Sequence, residues 1–311
     1  MKFLITGGAG FLGSYIVSAL SERNENIIVF DNLSTGKKKN IENYNVELIV
    51  DSITNFSAIK SAMAGVDIVF HLAAITSVVE TERNPQIAFD INSFGTYNVV
   101  KSAIEAGVKK IIFFSSAAVY GDNFDIPLSE KSIPNPKSIY GLTKLDGEFI
   151  IKNYAENSKL KYAILRTFNA YGPRQRLDSQ YSAAIPSFII SAMNHEPITI
   201  YGDGEQTRDF IYAADVADCA IFLAENDDAQ GIFNLGNGEE ISILSLAKNI
   251  IEIVNPDVEI PIKFAEPRPG DIYRSVADIS KLRELGFAPK ISLMEGLKRS
   301  IEKISDGIFP K

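Results

Sequence analysis

The run Thr6-Gly7-Gly8-Ala9-Gly10-Phe11-Leu12-Gly13 follows a short apolar stretch at residues 2–5 and passes directly into a helical pattern. That order restricts the fold more than any other feature of the chain. At Gly-x-x-Gly-x-x-Gly spacing, Gly7 lets the chain turn sharply, Gly10 lets backbone N–H groups approach a pyrophosphate, and Gly13 lets the helix lie close on the strand it has left. The helix start then offers unpaired N–H groups and a partial positive charge to an anion. Asp31 ends the next strand about 20 residues further on, where an acidic residue meets the adenosine ribose hydroxyls of a dinucleotide. A carboxylate there repels the 2′-phosphate of NADP, so the expected cofactor is NAD. The Lys37-Lys38-Lys39 run reads as a solvated loop rather than a compensating cation. Asp51, closing the third strand, either hydrogen-bonds adenine or serves as a strand-end turn residue.

Up to about Arg166, β-branched runs alternate with longer helical patterns, which predicts an α/β fold with a doubly wound parallel sheet. The expected strands are Lys2–Ile5, Ile27–Asp31, Val46–Val50, Asp67–Phe70, Lys110–Phe114 and Tyr162–Arg166. Several are apolar on both faces, as strands covered by helices on each side must be. Helices are expected at Phe11–Ser21, Phe56–Met63, Arg83–Ala106 and Tyr140–Asn157, the third stopped by Gly107. Ile87, Phe89, Ile91, Phe94, Tyr97, Val99, Val100 and Ile104 go most of the way round that third helix, so a homodimer through it and Tyr140–Asn157 is expected. After Asn169 the chain becomes rich in prolines, glycines and polar loops. This divides it into a dinucleotide-binding domain at 1–170 and a smaller C-terminal α/β substrate lobe at 171–311, with a segment near 209–235 returning to the sheet. The helices of this half are expected at Ala183–Met193, Ala213–Glu225, Ile243–Val254 and Leu293–Ile304.

Composition excludes several classes. With 39 acidic and 31 basic residues among 311, the net charge of −8 repels nucleic acid and anionic membranes. One cysteine, Cys219, and two histidines, His71 and His195, leave neither a disulfide framework nor a cysteine/histidine zinc site, so no metal is expected. The N-terminus lacks a signal-peptide pattern and no stretch reaches membrane-spanning length, which reads as cytoplasmic. His71, ending an apolar strand, reads as a core histidine.

Tyr140-Gly141-Leu142-Thr143-Lys144 places a tyrosine and a lysine four apart at a helix start, on one face. A tyrosine with a pKa near ~10 becomes a base at neutral pH only if that value falls by about three units, roughly 4 kcal/mol. An adjacent ammonium and a positive nicotinamide ring supply charge of the required sign. Ser116, just after the strand Lys110–Phe114, is placed to donate a hydrogen bond to the same substrate oxygen.

With these residues in view, the chain resembles the extended short-chain dehydrogenase/reductases, and among them the NAD-dependent nucleotide-sugar epimerase/dehydratase group. The matching stretches are Thr6–Gly13, Asp31–Gly36, His71–Ala74, Asn92 with Gly95-Thr96, Ser115–Gly121, Tyr140–Lys144, Arg166–Asn169, Gly202–Phe210 and Arg268–Asp271. The resemblance implies that NAD is held by Gly7, Gly10, Phe11, Leu12, Gly13, Asp31, Asn32, Ser34, Gly36, Asp51, Ser52, Leu72, Ala73, Ala74, Thr76, Asn92, Ser115, Tyr140, Lys144 and Phe168. It implies Ser116, Tyr140 and Lys144 as catalytic residues, with Lys144 lowering the tyrosine's pKa. It implies a UDP-sugar bound by Ser116, Tyr140, Asn169, Tyr201, Arg208, Arg268, Asp271 and Ser275, the two arginines on the diphosphate. Without the family, Arg208-Asp209 reads as a surface ion pair.

The implied reaction is C4 epimerisation of a UDP-hexose through a transient 4-keto sugar. Dehydratases of the group carry an Asp-Glu pair after the serine, where this chain has Ala117-Ala118. The alternatives are a UDP-glucuronate decarboxylase or 4-epimerase, and a non-catalytic NAD-binding regulator. At Ser275 a small residue stands where the group's bulky tyrosine excludes 2-acetamido sugars, so UDP-GlcNAc and UDP-GalNAc are expected beside UDP-glucose and UDP-galactose.

Overall fold

The computed structural model describes residues 1–123, 125–175, 184–267 and 272–305. Strands and helices first alternate: β1 (Lys2–Thr6), α1 (Phe11–Glu22), β2 (Asn26–Phe30), β3 (Glu47–Ile49), α2 (Phe56–Ala62) and β4 (Ile68–His71). An interrupted helical run of α3 (Val78–Arg83), α4 (Pro85–Ala88) and α5 (Gly95–Ala106) precedes β5 (Lys110–Ser116), α6 (Ile139–Glu156) and β6 (Lys161–Thr167). Shorter elements follow: β7 (Asn169–Tyr171), α7 (Ala184–Met193), β8 (Ile198–Tyr201), β9 (Thr207–Arg208) and β10 (Phe210–Tyr212). The chain then forms α8 (Ala213–Glu225), β11 (Gly231–Leu235), β12 (Ile241–Ser242), α9 (Ile243–Val254), β13 (Ile262–Ala265), α10 (Ser280–Glu284) and α11 (Leu293–Ser305).

Seven parallel strands make the main sheet, in the order β11-β6-β5-β4-β1-β2-β3. Both faces are covered. Phe3, Ile5, Ile112, Phe114 and Leu165 pack into one core with Ile16 and Leu20 of α1 and Val216 and Leu223 of α8. Leu4, Ile111, Phe113 and Ile164 face the other way, against Ile59 of α2, Val99 and Val100 of α5 and Ile151 of α6. Each large side chain removed from water in this way contributes roughly 1.5–3 kcal/mol, which is why strands apolar on both sides commit to a covered parallel sheet.

One expectation needs correction. The helix read over Arg83–Ala106 is not one helix. Pro85 disfavours helical dihedrals at Asn84, which sits at φ −133°, ψ 66°, and residues Phe89–Phe94 form a π-helical turn before α5 begins. Gly107 does close the run, at φ +73°. Within the segment near 209–235 the chain lies at the sheet. Helix α8 lies against α1 in the sheet's core, and β11 extends the sheet beside β6. Leu282 of α10 and Phe287 join the same core, which the sequence reading did not foresee. The remaining elements form their own core around Ile189, Ile198, Ile200, Leu246, Ile250 and Leu297. Among the described residues no helix is long and apolar enough to cross a membrane.

The first turn shows how tightly the sheet's ends are assembled. Gly7 has φ +71°, and a Cβ there would lie 2.8 Å from the backbone nitrogen of Ala73, just after β4. The Gly7→Ala variant is therefore expected to lose about 1–3 kcal/mol in chemical denaturation. A variant as stable as the parent would show that the two turns separate freely.

Candidate active site

Strand β1 has β2 on one side and β4 on the other. The segments leaving these strands part there, at the carboxyl end of the sheet, and open a crevice. The cavity is about 1350 Å³ and runs from the glycine turn to the second lobe. At its first wall, α1 starts from Gly10 without a side-chain cap, and Gly10, Phe11, Leu12 and Gly13 line the space. The first-turn N–H groups are thus left for a ligand. The Asp31 carboxylate is fixed beside them by the N–H groups of Ala9 (2.9 Å) and Leu33 (2.8 Å). Burial pushes its pKa up, and those two hydrogen bonds oppose the shift. Gly36 does not line the cavity but packs on that carboxylate, within 2.8 Å of where a Cβ would stand.

Asn32, Ser34, Asp51, Ser52, Leu72, Ala73, Ala74 and Thr76 also line the cavity. Asp51 doubles as a turn residue, accepting from Ser52 N (2.6 Å) and Asn55 Nδ2 (3.0 Å). Asn92 lies behind the wall. Its amide, carried by the π-helical turn, accepts from Ile75 N (2.8 Å) and donates to Ile75 O (3.0 Å) and Thr143 Oγ1 (3.0 Å). It shapes the loop after β4 rather than facing the cavity. His71 is fully buried between the hydroxyls of Thr6 (2.7 Å) and Thr96 (2.9 Å), and burial pushes its pKa down to about 3.

Ser115, Ser116, Tyr140, Lys144 and Phe168 converge at the middle of the cavity. Ser138 caps α6 by accepting from Gly141 N (3.1 Å), so Tyr140 stands in the first turn and Lys144 one turn later. A Cβ on Gly141 would be 2.6 Å from the Ala118 carbonyl, and one on Gly147 would be 2.6 Å from the Phe113 ring. That closeness sets Tyr140 on the same stretch of cavity wall as Ser116. Burial raises the Tyr140 pKa and the Ser116 hydrogen bond opposes it. Lys144, one turn on in α6, is buried. Its ammonium donates to the Phe114 carbonyl at 2.7 Å and lies 5.0 Å from the centre of the Phe113 ring. Burial lowers the Lys144 pKa to about 8.

At the second lobe, Asn169, Tyr201 and Arg208 line the cavity. Asp209 is not the partner in a surface ion pair: it is fully buried, and its carboxylate accepts the N–H groups of Asn237 (2.7 Å), Gly238 (3.0 Å) and Ala277 (3.0 Å). Its own carbonyl takes both the backbone and side-chain N–H of Asn169. Asp209 therefore ties three chain segments together between Arg208 and Phe210. Ser275 is buried next to Val276, whose carbonyl accepts from Leu128 N, and it is not among the described lining residues. Arg268 and Asp271 lie outside the described residues.

Among the lining residues that the sequence left unassigned are Arg174, Gln206 and Thr167. Arg174 reaches Ser14 O (3.0 Å) and Tyr44 Oη (3.2 Å) and covers the Tyr15 ring, bringing a cation near the first helix. Gln206 and Thr167 are buried, each with one oxygen lacking a hydrogen-bond partner. No local pattern announces them, since partners such as Arg174 and Ser14 are 160 residues apart.

The model of the NAD dependent epimerase/dehydratase family matches residues 3–236. The chain belongs to that family. A UDP-N-acetylglucosamine 4-epimerase from Methanobrevibacter ruminantium, solved with UDP-N-acetylmuramic acid, is 36% identical with a TM-score of 0.94, over 98% of each chain. The UDP-glucose 4-epimerase of Thermotoga maritima, solved with UDP-glucose, is 36% identical with a TM-score of 0.93, over 99% of this chain and 100% of that one. UDP-glucuronic acid decarboxylase 1 of Arabidopsis thaliana is 34% identical over 99% of this chain and 71% of its own length. The family's cofactor suits the cavity: the uncapped start of α1 fits a pyrophosphate and the fixed Asp31 carboxylate a ribose diol. Among the described residues no cluster of metal-ligating side chains occurs.

An Asp209→Asn variant would point an NH₂ group at one of three backbone N–H donors. We expect a loss of about 1–3 kcal/mol in stability and a raised KM for the sugar nucleotide. Unchanged values of both would show that the three segments do not depend on this carboxylate.

Proposed function

We propose that this family member interconverts C4 epimers of a UDP-hexose, with UDP-glucose and UDP-galactose as the principal pair. The observation that carries this reading is that Ser116, Tyr140 and Lys144 line one cavity, the lysine one helical turn after the tyrosine, with alanines at 117 and 118 where a carboxylate pair would stand. Bound NAD supplies the acceptor, and then the donor, of the hydrogen at C4. Tyr140 takes the proton of the 4-hydroxyl, and Ser116 hydrogen-bonds the oxygen as it becomes a carbonyl. Lys144, cationic below about pH 8, supplies positive charge on the same helix face. Arg208 and Asn169 grip the nucleotide end, with Arg268 and Asp271 assigned there by sequence alone. A firm hold on the nucleotide and a loose one on the sugar permits the keto sugar to present its other face. The similarity to a UDP-N-acetylglucosamine 4-epimerase supports N-acetylated hexoses as further substrates. Ser275 offers no support for that extension, being off the described wall.

The enzyme is incubated with UDP-glucose, UDP-N-acetylglucosamine and UDP-glucuronate without added NAD, and the products are separated by chromatography. C4 epimers without CO₂ release are expected. Pentose and CO₂ from UDP-glucuronate would establish the decarboxylase reading, which the Arabidopsis relative favours. Tyr140→Phe is expected to fold and bind NAD but lose about 10³-fold in kcat. Turnover at the parental rate would assign the protein's base elsewhere.

A homodimer fits the exposed aromatic strip. Ile87 and Phe94 are half exposed, Phe94 stacks on Tyr97 and Tyr97 meets Tyr154 edge-on, so the strip joins the α3–α5 run to α6. Phe94→Asp/Tyr154→Asp is expected to sediment as a monomer while the parent sediments as a dimer. A dimeric double variant would move the interface to another surface.

A further inference from the structure

Glu148 follows Lys144 by four residues, on the same face of α6. Its carboxylate receives Arg166 Nη2 at 2.7 Å, Arg166 Nε at 3.0 and 3.2 Å, and the Ser115 hydroxyl. The two charged side chains are only 3% and 4% exposed. Arg166 also lies 4.8 Å from the centre of the Tyr120 ring, and its Nη1 has no hydrogen-bond partner. Lys144, equally buried, donates to Phe114. Consecutive residues of β5 thus hold the lysine and the carboxylate, which stand one turn apart on α6.

A pair needed only to fasten α6 to β6 has little reason to be ionic, because desolvating two charges costs about as much as their attraction returns. What an anion adds at this place is a field acting on the ammonium one turn away, through an interior that screens poorly. We propose that Glu148 is a positioning residue of the reaction: shared between Arg166 and Lys144, its carboxylate keeps Lys144 a cation inside the protein, and Arg166 sets how much of that charge the lysine feels. The proposal rests on the reading of Tyr140 and Lys144 as the proton-handling pair.

Burial pulls the Lys144 ammonium down and Glu148 opposes it. The other charges around α6 are engaged elsewhere. His71, on β4, is neutral, with its pKa pushed down to about 3. Glu82 of α3 accepts the N–H of Ile139 at the start of α6, and Asp90 in the π-helical turn accepts from Gln86. On α5, Lys101 lies over Phe56 and Tyr97, and Glu105 pairs with Lys60.

Shared charge leaves a signature that packing cannot: the two partners shift Lys144 in opposite directions. Glu148→Gln leaves two buried cations, so Lys144 should lose its proton at lower pH. Arg166→Met leaves the carboxylate to the lysine alone, so the proton should be kept to higher pH. The double variant Glu148→Gln/Arg166→Met should fall between Glu148→Gln and the parent. The titration is read by NMR of lysine labelled with carbon-13 at Cε in the NAD-loaded protein, the Lys144 signal being assigned by its loss in Lys144→Met. No turnover is needed, so this outcome is separate from that of Tyr140→Phe. We expect the midpoint to fall by about one unit or more in Glu148→Gln, a tenfold or greater loss of proton affinity, and to rise in Arg166→Met. The alkaline limb of kcat/KM should move with it. A Glu148→Gln midpoint within about 0.3 units of the parent overturns the proposal. If the single variants do not fold, the double variant, which buries no unpaired charge, carries the test. A midpoint above the parental one there overturns it equally.

Discussion

Helix α6 approaches the end of β5 more closely than side chains at residues 141 and 147 would allow, and the candidate active site depends on that contact. Gly141 sits against the Ala118 carbonyl and Gly147 against the Phe113 ring. With the helix so placed, Tyr140 and Ser116 line the same cavity, Lys144 reaches the Phe114 carbonyl, and Glu148 meets both Ser115 and Arg166. A displacement of an ångström would move the phenol and the ammonium together against β5, and catalytic geometry tolerates little of that. Asn92 reinforces the placement by joining the loop after β4 to Thr143 on the same helix.

The protein is acidic overall, yet the cavity is suited to an anion at both ends. At one end the uncapped start of α1 and the Arg174 guanidinium provide positive potential, and at the other Arg208 does. Local donors decide binding at this range, since a net charge of −8 spread over the surface is screened within about 10 Å. Asp209, although anionic, does not oppose the ligand, because its carboxylate is turned inward onto three backbone N–H groups. That one buried acid joins residues 169, 237–238 and 277 beside the second-lobe end of the cavity.

Much of this was legible before any coordinates. Strands apolar on both faces signal a covered parallel sheet, and a glycine turn between strand and helix signals its phosphate end, because both patterns are local. Tyr140, Lys144 and Ser116 were legible for the same reason: helix periodicity and a strand end place them. The break at Asn84 was written in Pro85, whereas the π-helical turn at Phe89–Phe94 was not, since one extra residue in a turn leaves no mark on hydrophobic spacing. Asp209 misled, because an Arg-Asp dipeptide reads as a surface pair unless the loops at 236–238 and 277 are seen to close over it. Ser275 misled similarly: alignment supplies a position, but burial beside Val276 took it off the described wall. Arg174, Gln206 and Thr167 depend on long-range packing that no window of sequence contains.

The central claim is that one hydrogen leaves C4 and returns to the same carbon from the opposite side while Tyr140 and Ser116 manage the oxygen. It is tested most directly with UDP-glucose carrying deuterium at C4, incubated in ordinary water with no added cofactor and analysed by NMR of the isolated epimer. The account predicts that the product keeps its deuterium at C4. Replacement of that deuterium by solvent hydrogen would contradict it and require a different route to the inverted centre.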